Sequence, residues 1–405
     1  MRAVYVSRPG VVCSCADSST QLWKAVTNAN QDSIRQVKSV SGKNYFAAKV
    51  LPQELKTSSS RIDMHISRIE EKALSQLDET VKLAAQKWGS DRIAVCVGSC
   101  DNASETSFAA HKTFLETGSF PSDYSLEKQS ADFVASLISE RYGVKGPSLA
   151  FSTACSSSAG ATIKAAELIA SGFADAVIAG GVDIASDTTL LGFDSLEAVS
   201  PLKTNPFSKN RKGITLGDAA AFFLLSKEPL SSSGEDIILS GYGESADAFH
   251  MTSPEPSATG AVRAMKKALK KANLLPEDIS YVNLHGTGTH ANDEMEARAV
   301  REVFSDSVPC SSTKSVTGHT LGAASALEAA VCWETLFNNR NAKEKGSVLP
   351  FQVWDFCADD TMPAVCIVSE RNPCSTKSAV CHVMSNSFAF GGSNASLIFS
   401  MEESK

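Results

Sequence analysis

One stretch of the chain constrains the fold more than any other. Residues 149–154 read as a strand, and they run without a turn residue into Cys155-Ser156-Ser157-Ser158-Ala159-Gly160-Ala161. That small-residue series opens a helix expected to reach about Ser171, where Gly172 ends it. A helix built of Ser, Ala and Gly lets neighbours approach closely on most sides, as a central helix must. The spacing then predicts a strand over 176–179, closed by Gly180-Gly181. Strand, helix and strand at this length make a βαβ unit.

The second half of the chain repeats the theme. A strand over 279–284 ends at His285, a helix follows from about Asp293 to Phe304, and 308–313 leads to Lys314. A second small-residue helix is expected from Leu321 to about Asn338. Residues 379–384 and 395–400 read as paired strands joined around Gly391-Gly392. The fold class is therefore α/β, in two similar halves, 1–230 and 231–405, with 227–236 as the best linker. Elsewhere, 2–6 reads as a short buried strand and 93–97 as another. Residues 66–88 carry helical periodicity through Ile69, Ala73, Leu77 and Val81. Residues 98–128 would suit loops and short helices over a site, and 40–62 have no clear assignment.

Composition excludes several classes. At 405 residues the chain suits one large duplicated unit, with a core that needs neither disulfides nor metals. Its net charge of −7 makes it a poor partner for nucleic acid. The 11 cysteines are odd in number and scattered singly, which fits free thiols in a reducing cytoplasm. Cys13 and Cys15 are too close for half of a usual zinc site, and no C-x-x-C occurs, so no metal is expected. The apolar run at the N-terminus is too short for a signal peptide, and no stretch reads as a membrane span.

Five positions carry chemistry. Cys155 sits at a strand-to-helix junction, where unpaired N–H groups and the helix dipole would favour a thiolate; taken alone it reads equally as a nucleophile or an inert core cysteine. His285 opens His285-Gly286-Thr287-Gly288-Thr289 at a strand end, a place that also suits a satisfied core histidine. Lys314 is expected to end a strand and His319 to precede a buried helix, so that both face one crevice. Glu328 lies on that helix within reach of Lys314, as a functional or simply structural ion pair. Together they form a set: a cysteine to hold an acyl group and two neutral imidazoles to donate hydrogen bonds to a thioester oxygen as an enolate forms.

These motifs resemble those of the elongating β-ketoacyl-(acyl carrier protein) synthases of the thiolase superfamily. Thr153-Ala154-Cys155-Ser156-Ser157-Ser158 resembles the nucleophile motif and His285 through Thr289 the first histidine motif. Lys314 through His319 resembles the K-x-x-x-G-H motif, and Asn386-Ser387-Phe388-Ala389-Phe390-Gly391-Gly392-Ser393-Asn394 the C-terminal glycine motif. The resemblance implies a five-layered αβαβα fold. It implies decarboxylative Claisen condensation of a Cys155-bound acyl group with a malonyl-carrier, extending a fatty-acid, polyene or polyketide chain. His285 and His319 would support decarboxylation, Lys314 with Glu328 would set the polarity, and Thr287 and Thr289 would meet the pantetheine arm. The N–H groups of Cys155 and Phe390 would form an oxyanion hole. Phe390 would gate the acyl pocket, with Phe388 and Gly391 also contacting substrate. No cofactor is implied. Implied partners are an acyl carrier protein and a second copy of the chain, paired through a strand near 176–182, or else a related chain in a heterodimer.

The sequence departs from the family pattern in places. Thr289-His290-Ala291-Asn292-Asp293 stands where Thr-Pro and Gly-Asp are usual, and Gly217-Asp218-Ala219-Ala220 where Gly-Glu-Gly-Ala is usual. Gly98-Ser99-Cys100-Asp101-Asn102 replaces a more apolar segment that often shapes the acyl pocket. These changes make specialised polyene or secondary-lipid synthesis a serious rival to a housekeeping fatty-acid role. Two rivals are a non-catalytic chain-length-factor partner and a thiolase. The first lacks the nucleophile found here, and the second needs a cysteine in the C-terminal glycine loop, where none stands. Arg263, Lys266, Lys267, Lys270 and Lys271 cluster on an expected helix, either as a solvated face or as a dock for an acidic carrier protein.

Overall fold

The computed structural model describes residues 3–101, 104–230, 237–341, 346–373 and 379–402. In the N-terminal half, strands Ser148–Phe151, Ile93–Gly98 and Ala176–Asp183 run parallel, and Ala219–Ser226 pairs antiparallel with the last. The C-terminal half mirrors this. Cys366–Ile367, Pro309–Ser311, Tyr281–Asn283 and His382–Phe388 run parallel, Ser393–Met401 returns antiparallel, and Ile237–Ala246 pairs beyond it. Tyr5–Val6 bonds to both Ala219–Ser226 and Ile237–Ala246 and stitches the halves into one continuous hydrogen-bonded system.

Between the two sheets lie the small-residue helices, Ser157–Ala170 and Ala324–Asn339, packed on each other and on strands from both halves. In the second, 14 of 16 residues are buried, the burial its composition required. Helices His65–Leu74, Asp78–Trp88 and Phe133–Tyr142 cover the outer face of the N-terminal sheet. Thr259–Ala272 and His290–Phe304 cover that of the C-terminal sheet. Helices, sheet, helices, sheet and helices give the five-layered thiolase-like arrangement.

Several expectations are corrected. Gly180 and Gly181 do not close a strand; Ala176–Asp183 runs through them, buried at every residue. A Cβ on Gly180 would lie 2.1 Å from the Ala221 carbonyl oxygen, and one on Gly181 2.8 Å from that of Gly98. These glycines allow close approach rather than a turn. The same strand is flanked by Ile93–Gly98 and Ala219–Ser226, so it has no edge with which to pair across an interface. Among the described strands, the edge of the N-terminal half is Ser148–Phe151, and Cys366–Ile367 ends the sheet on the other side. The 66–88 helix is broken into His65–Leu74 and Asp78–Trp88 by a 3-10 turn at Ser75–Leu77. Within 98–128 the chain forms one long helix, Ser104–Thr117. Lys314 begins a single helical turn, Lys314–Thr317, instead of ending a strand. Asn44–Ala48 joins Arg35–Lys38 and Leu216–Gly217 in a small second sheet. Of the expected linker, 231–236 lie outside the described residues.

Candidate active site

The chain enters the site through a sharp bend. Ala154 holds a left-handed φ of 50°, costly for a residue with a Cβ, and it turns the strand end into the helix N-terminus so that Cys155 faces the crevice. Small hydroxyls hold the bend. The Ser157 hydroxyl accepts the Thr153 N–H at 2.9 Å and donates to the Ala154 carbonyl at 2.6 Å. From the other central helix, the Ser325 hydroxyl donates to the Cys155 carbonyl at 3.0 Å. Ser325 and, from the nucleophile segment, Ser158, whose hydroxyl accepts the Ala326 N–H at 2.9 Å, therefore tie the two central helices together at the nucleophile.

His319 Nε2 lies 3.1 Å from Cys155 Sγ. The Leu321 N–H donates to His319 Nδ1 at 3.1 Å, which places the proton of a neutral ring on Nε2, towards the sulfur. His285 stands with its ring 5.4 Å from that of His319, at 90°. Lys314 Nζ reaches the His285 carbonyl oxygen at 2.6 Å and His285 Nδ1 at 3.4 Å, and it pairs with Glu328. Both imidazoles are thus arranged alike, a donor on Nδ1 and a proton on Nε2.

Electrostatics agree with this arrangement. Burial, then the Lys314 cation, pushes both histidines well below their ordinary range, so both are neutral. Burial pushes the Cys155 thiol up to about 11, against the Lys314 charge and the N–H groups of Phe390 and Cys155. The expected thiolate is therefore not the resting form: loss of solvation outweighs the helix N-terminus. Those two N–H groups lie against the sulfur, where an oxyanion would develop. Burial raises Glu328 to about 7, opposed by Lys314.

Cys155, His285 and His319 bring ligand atoms within 4.8 Å of one another, a spacing that a metal ion could use. The donor chemistry does not fit, because the Nδ1 partners leave both inward Nε2 atoms protonated and without a free lone pair.

A cavity of 410 Å³ opens above these groups, lined among others by Thr287, Thr289, Phe388 and Phe390. Thr289 also caps helix His290–Phe304. Phe390 packs against Phe193, ring centroids 5.6 Å apart. Gly391 follows the cavity-lining Phe390; its φ of 81° makes the turn, and its N–H goes to the Met251 carbonyl at 2.7 Å. Of the basic helix, Lys266 pairs with Glu302, Lys267 bonds the Glu244 carbonyl and Lys271 lies 3.6 Å over the Tyr242 ring, so three of its five cations are already engaged.

Sequence reasoning missed two buried carboxylates. Glu296 accepts the N–H groups of His285 and Gly286, each at 2.7 Å, and fixes the histidine loop. Asp183 accepts N–H groups from Cys100, Asp101 and Gly322, joining the strand ends beneath both central helices. An acid nearly two turns into the helix after the histidine motif was the available signal for Glu296; Asp183 had none beyond its place at the end of an apolar run.

Known proteins resemble the chain along its length. The family model for the beta-ketoacyl synthase N-terminal domain matches residues 2–230, and that for the C-terminal domain matches 237–340. The chain is 31% identical to 3-oxoacyl-[acyl-carrier-protein] synthase 2 of Coxiella burnetii, covering 98% of each. It is 32% identical to nodulation protein E of Rhizobium meliloti, over 98% of this chain and 99% of the relative. Among solved structures, a chain of the ketosynthase (ApeO)–chain length factor (ApeC) complex from Xenorhabdus doucetiae matches with a TM-score of 0.88 and 35% identity, over 99% of this chain and 98% of that one. No helix among the described residues is long and apolar enough to cross a membrane.

Proposed function

The chain belongs to the β-ketoacyl synthase family, a family of acyltransferases, and on that premise we propose that it condenses a Cys155-bound acyl group with a malonyl group carried by an acyl carrier protein. The observation that carries the reading is His319 Nε2 at 3.1 Å from Cys155 Sγ, with His285 beside it and both rings neutral. The division at 230/231 into a nucleophile half and a histidine half is part of it.

The reaction runs in two stages. The Cys155 sulfur attacks the acyl thioester carbonyl, the N–H groups of Cys155 and Phe390 hold the oxyanion, and as it collapses the carrier sulfur leaves and takes up the proton that Cys155 gives up. A malonyl thioester then enters past Thr287 and Thr289. Its carboxylate leaves as carbon dioxide, and the enolate oxygen takes hydrogen bonds from Nε2–H of His285 and His319. The carbanion attacks the Cys155 thioester, and the cysteine sulfur leaves as a thiolate that takes up a proton from water. Lys314, held by Glu328, keeps both imidazoles neutral throughout. The product is a chain two carbons longer.

Intact-mass acylation paired with carbon dioxide release tests the division of labour. Cys155→Ala should lose acyl loading and condensation yet retain malonyl decarboxylation. His319→Ala should still load but lose decarboxylation by a factor on the order of 10² or more, the scale for one oxyanion donor. A His319→Ala protein that decarboxylates normally but cannot load would reverse the roles.

A second reading concerns partners. One solved relative is a complex of a ketosynthase with a chain length factor. The open edge at Ser148–Phe151 would serve a second copy or such a related chain equally well. The retained Cys155, His285, His319 and Lys314 favour this chain as the catalytic member.

A further inference from the structure

A second cleft, of 560 Å³, lies on the outer layer between helices His65–Leu74 and Phe133–Tyr142, within the usual size of small-ligand sites. It shares no lining residue with the cavity above Cys155. On its inner wall stands Glu70, 2% exposed, with no hydrogen bond or ion pair among the described residues, and its Oε1 is buried without a partner. An ionised carboxylate so placed is costly unless something pairs with it.

The other carboxylates of the cleft are satisfied. Glu71 accepts from Ser58, Ser59 and Arg141. Asp78 takes Arg141 at 3.0 Å and the Tyr142 hydroxyl at 2.9 Å, and Glu140 takes Arg61 at 2.8 Å. The four carboxylates Glu70, Glu71, Asp78 and Glu140 face two guanidinium groups, Arg61 and Arg141, an excess of two negative charges when Glu70 is ionised. Leu74 and Leu137 supply the apolar part of the lining.

We propose that this cleft binds an aliphatic diamine, one ammonium group pairing with the Glu70 carboxylate and the carbon chain lying on Leu74 and Leu137. Two positive charges on an apolar spacer match the excess charge and the apolar lining, and Glu70 is the one carboxylate of the cleft left without a donor. With the cleft empty, burial and the charge of Glu71 hold the Glu70 carboxyl well above the usual range, so it carries its proton. The entering ammonium displaces that proton to the buffer.

Titration calorimetry on the full chain tests this, with 1,4-diaminobutane as probe and 1,4-butanediol as its uncharged analogue, near pH 7 in two buffers of different ionisation enthalpy. Wild type should bind the diamine saturably with proton release and ignore the diol. Glu70→Gln should bind at least about tenfold more weakly, the loss of one charge-assisted pair, without proton release. No saturable diamine binding, binding of the diol equal to the diamine, absence of proton release, or a Glu70→Gln affinity near that of wild type would each overturn the site. Should Glu70→Gln fail to fold, the wild-type comparison of diamine, diol and buffers decides alone.

Discussion

At Cys155 two opposing forces act on one thiol. Burial favours the neutral form, while Lys314 and two backbone N–H groups favour the anion, and burial prevails, leaving the thiol at about 11. Alkylation needs the thiolate, so its rate should climb about tenfold per pH unit while pH stays below that value. Iodoacetamide labelling of Cys155 followed by mass spectrometry should show a slope near one from pH 7 to 9.5; a plateau below pH 8 would contradict the burial argument. Lys314 is coupled to the same site through a buried pair with Glu328. Removing one member of such a pair leaves the other charge stranded, at about 3–5 kcal/mol, whereas replacing both with apolar groups is often neutral. Lys314→Met should therefore lower the melting temperature sharply. Lys314→Met with Glu328→Leu should recover most of that stability while remaining inactive, because His285 Nδ1 has lost its donor. Recovery of activity with stability would make the pair merely structural.

The elements around the site depend on close approach. A Cβ at Gly98 would lie 2.3 Å from the Ser158 backbone nitrogen, at the first turn of the helix that presents Cys155. Gly98→Ala should then cost about 1–3 kcal/mol, the range for overpacking, and should slow acylation as well, since relief comes only by moving that helix. Thermal unfolding and intact-mass loading measure the two effects; a stable, fully active Gly98→Ala would mean the layers yield freely. This packing explains what was legible in the sequence and what was not. The two small-residue helices could be read as central because the trait that buries them is their own composition. Gly180 and Gly181 were misread as a strand end because their crowding partners, Ala221 and the backbone of Gly98, lie far away in sequence. Cys155, His285, Lys314 and His319 stood out by motif. Asp183 did not, and Glu296 offered only its place in the helix after the histidine motif, because both act on backbone N–H groups rather than on a partner side chain. The state of the thiol was also hidden: a helix start suggests a thiolate, and only depth of burial reverses that.

At the scale of the molecule, sheet order decides which surface is free to pair. Ala176–Asp183 is enclosed on both sides, and Ser148–Phe151, which leads directly into Cys155, is left open, with Ser148 and Ala150 exposed. An open edge offers unpaired N–H and carbonyl groups to another chain. Helix Ser104–Thr117 and the segment after it also expose apolar side chains, among them Phe108, Phe114, Leu115 and Phe120, and the helix packs on Asp187–Ser195. A partner strand aligned along 148–151 would extend the sheet and brace the bend that aims Cys155. Sedimentation at micromolar concentration should accordingly give twice the chain mass of 42.8 kDa for a homodimer. A lysine on an edge strand opposes such pairing, so Ala150→Lys should shift the protein to the monomer and reduce condensation while leaving the unfolding transition cooperative. A wild-type chain that sediments as a monomer and becomes active only with a related chain would assign the edge to a heterodimer. An Ala150→Lys variant that stays dimeric and fully active would place the interface elsewhere.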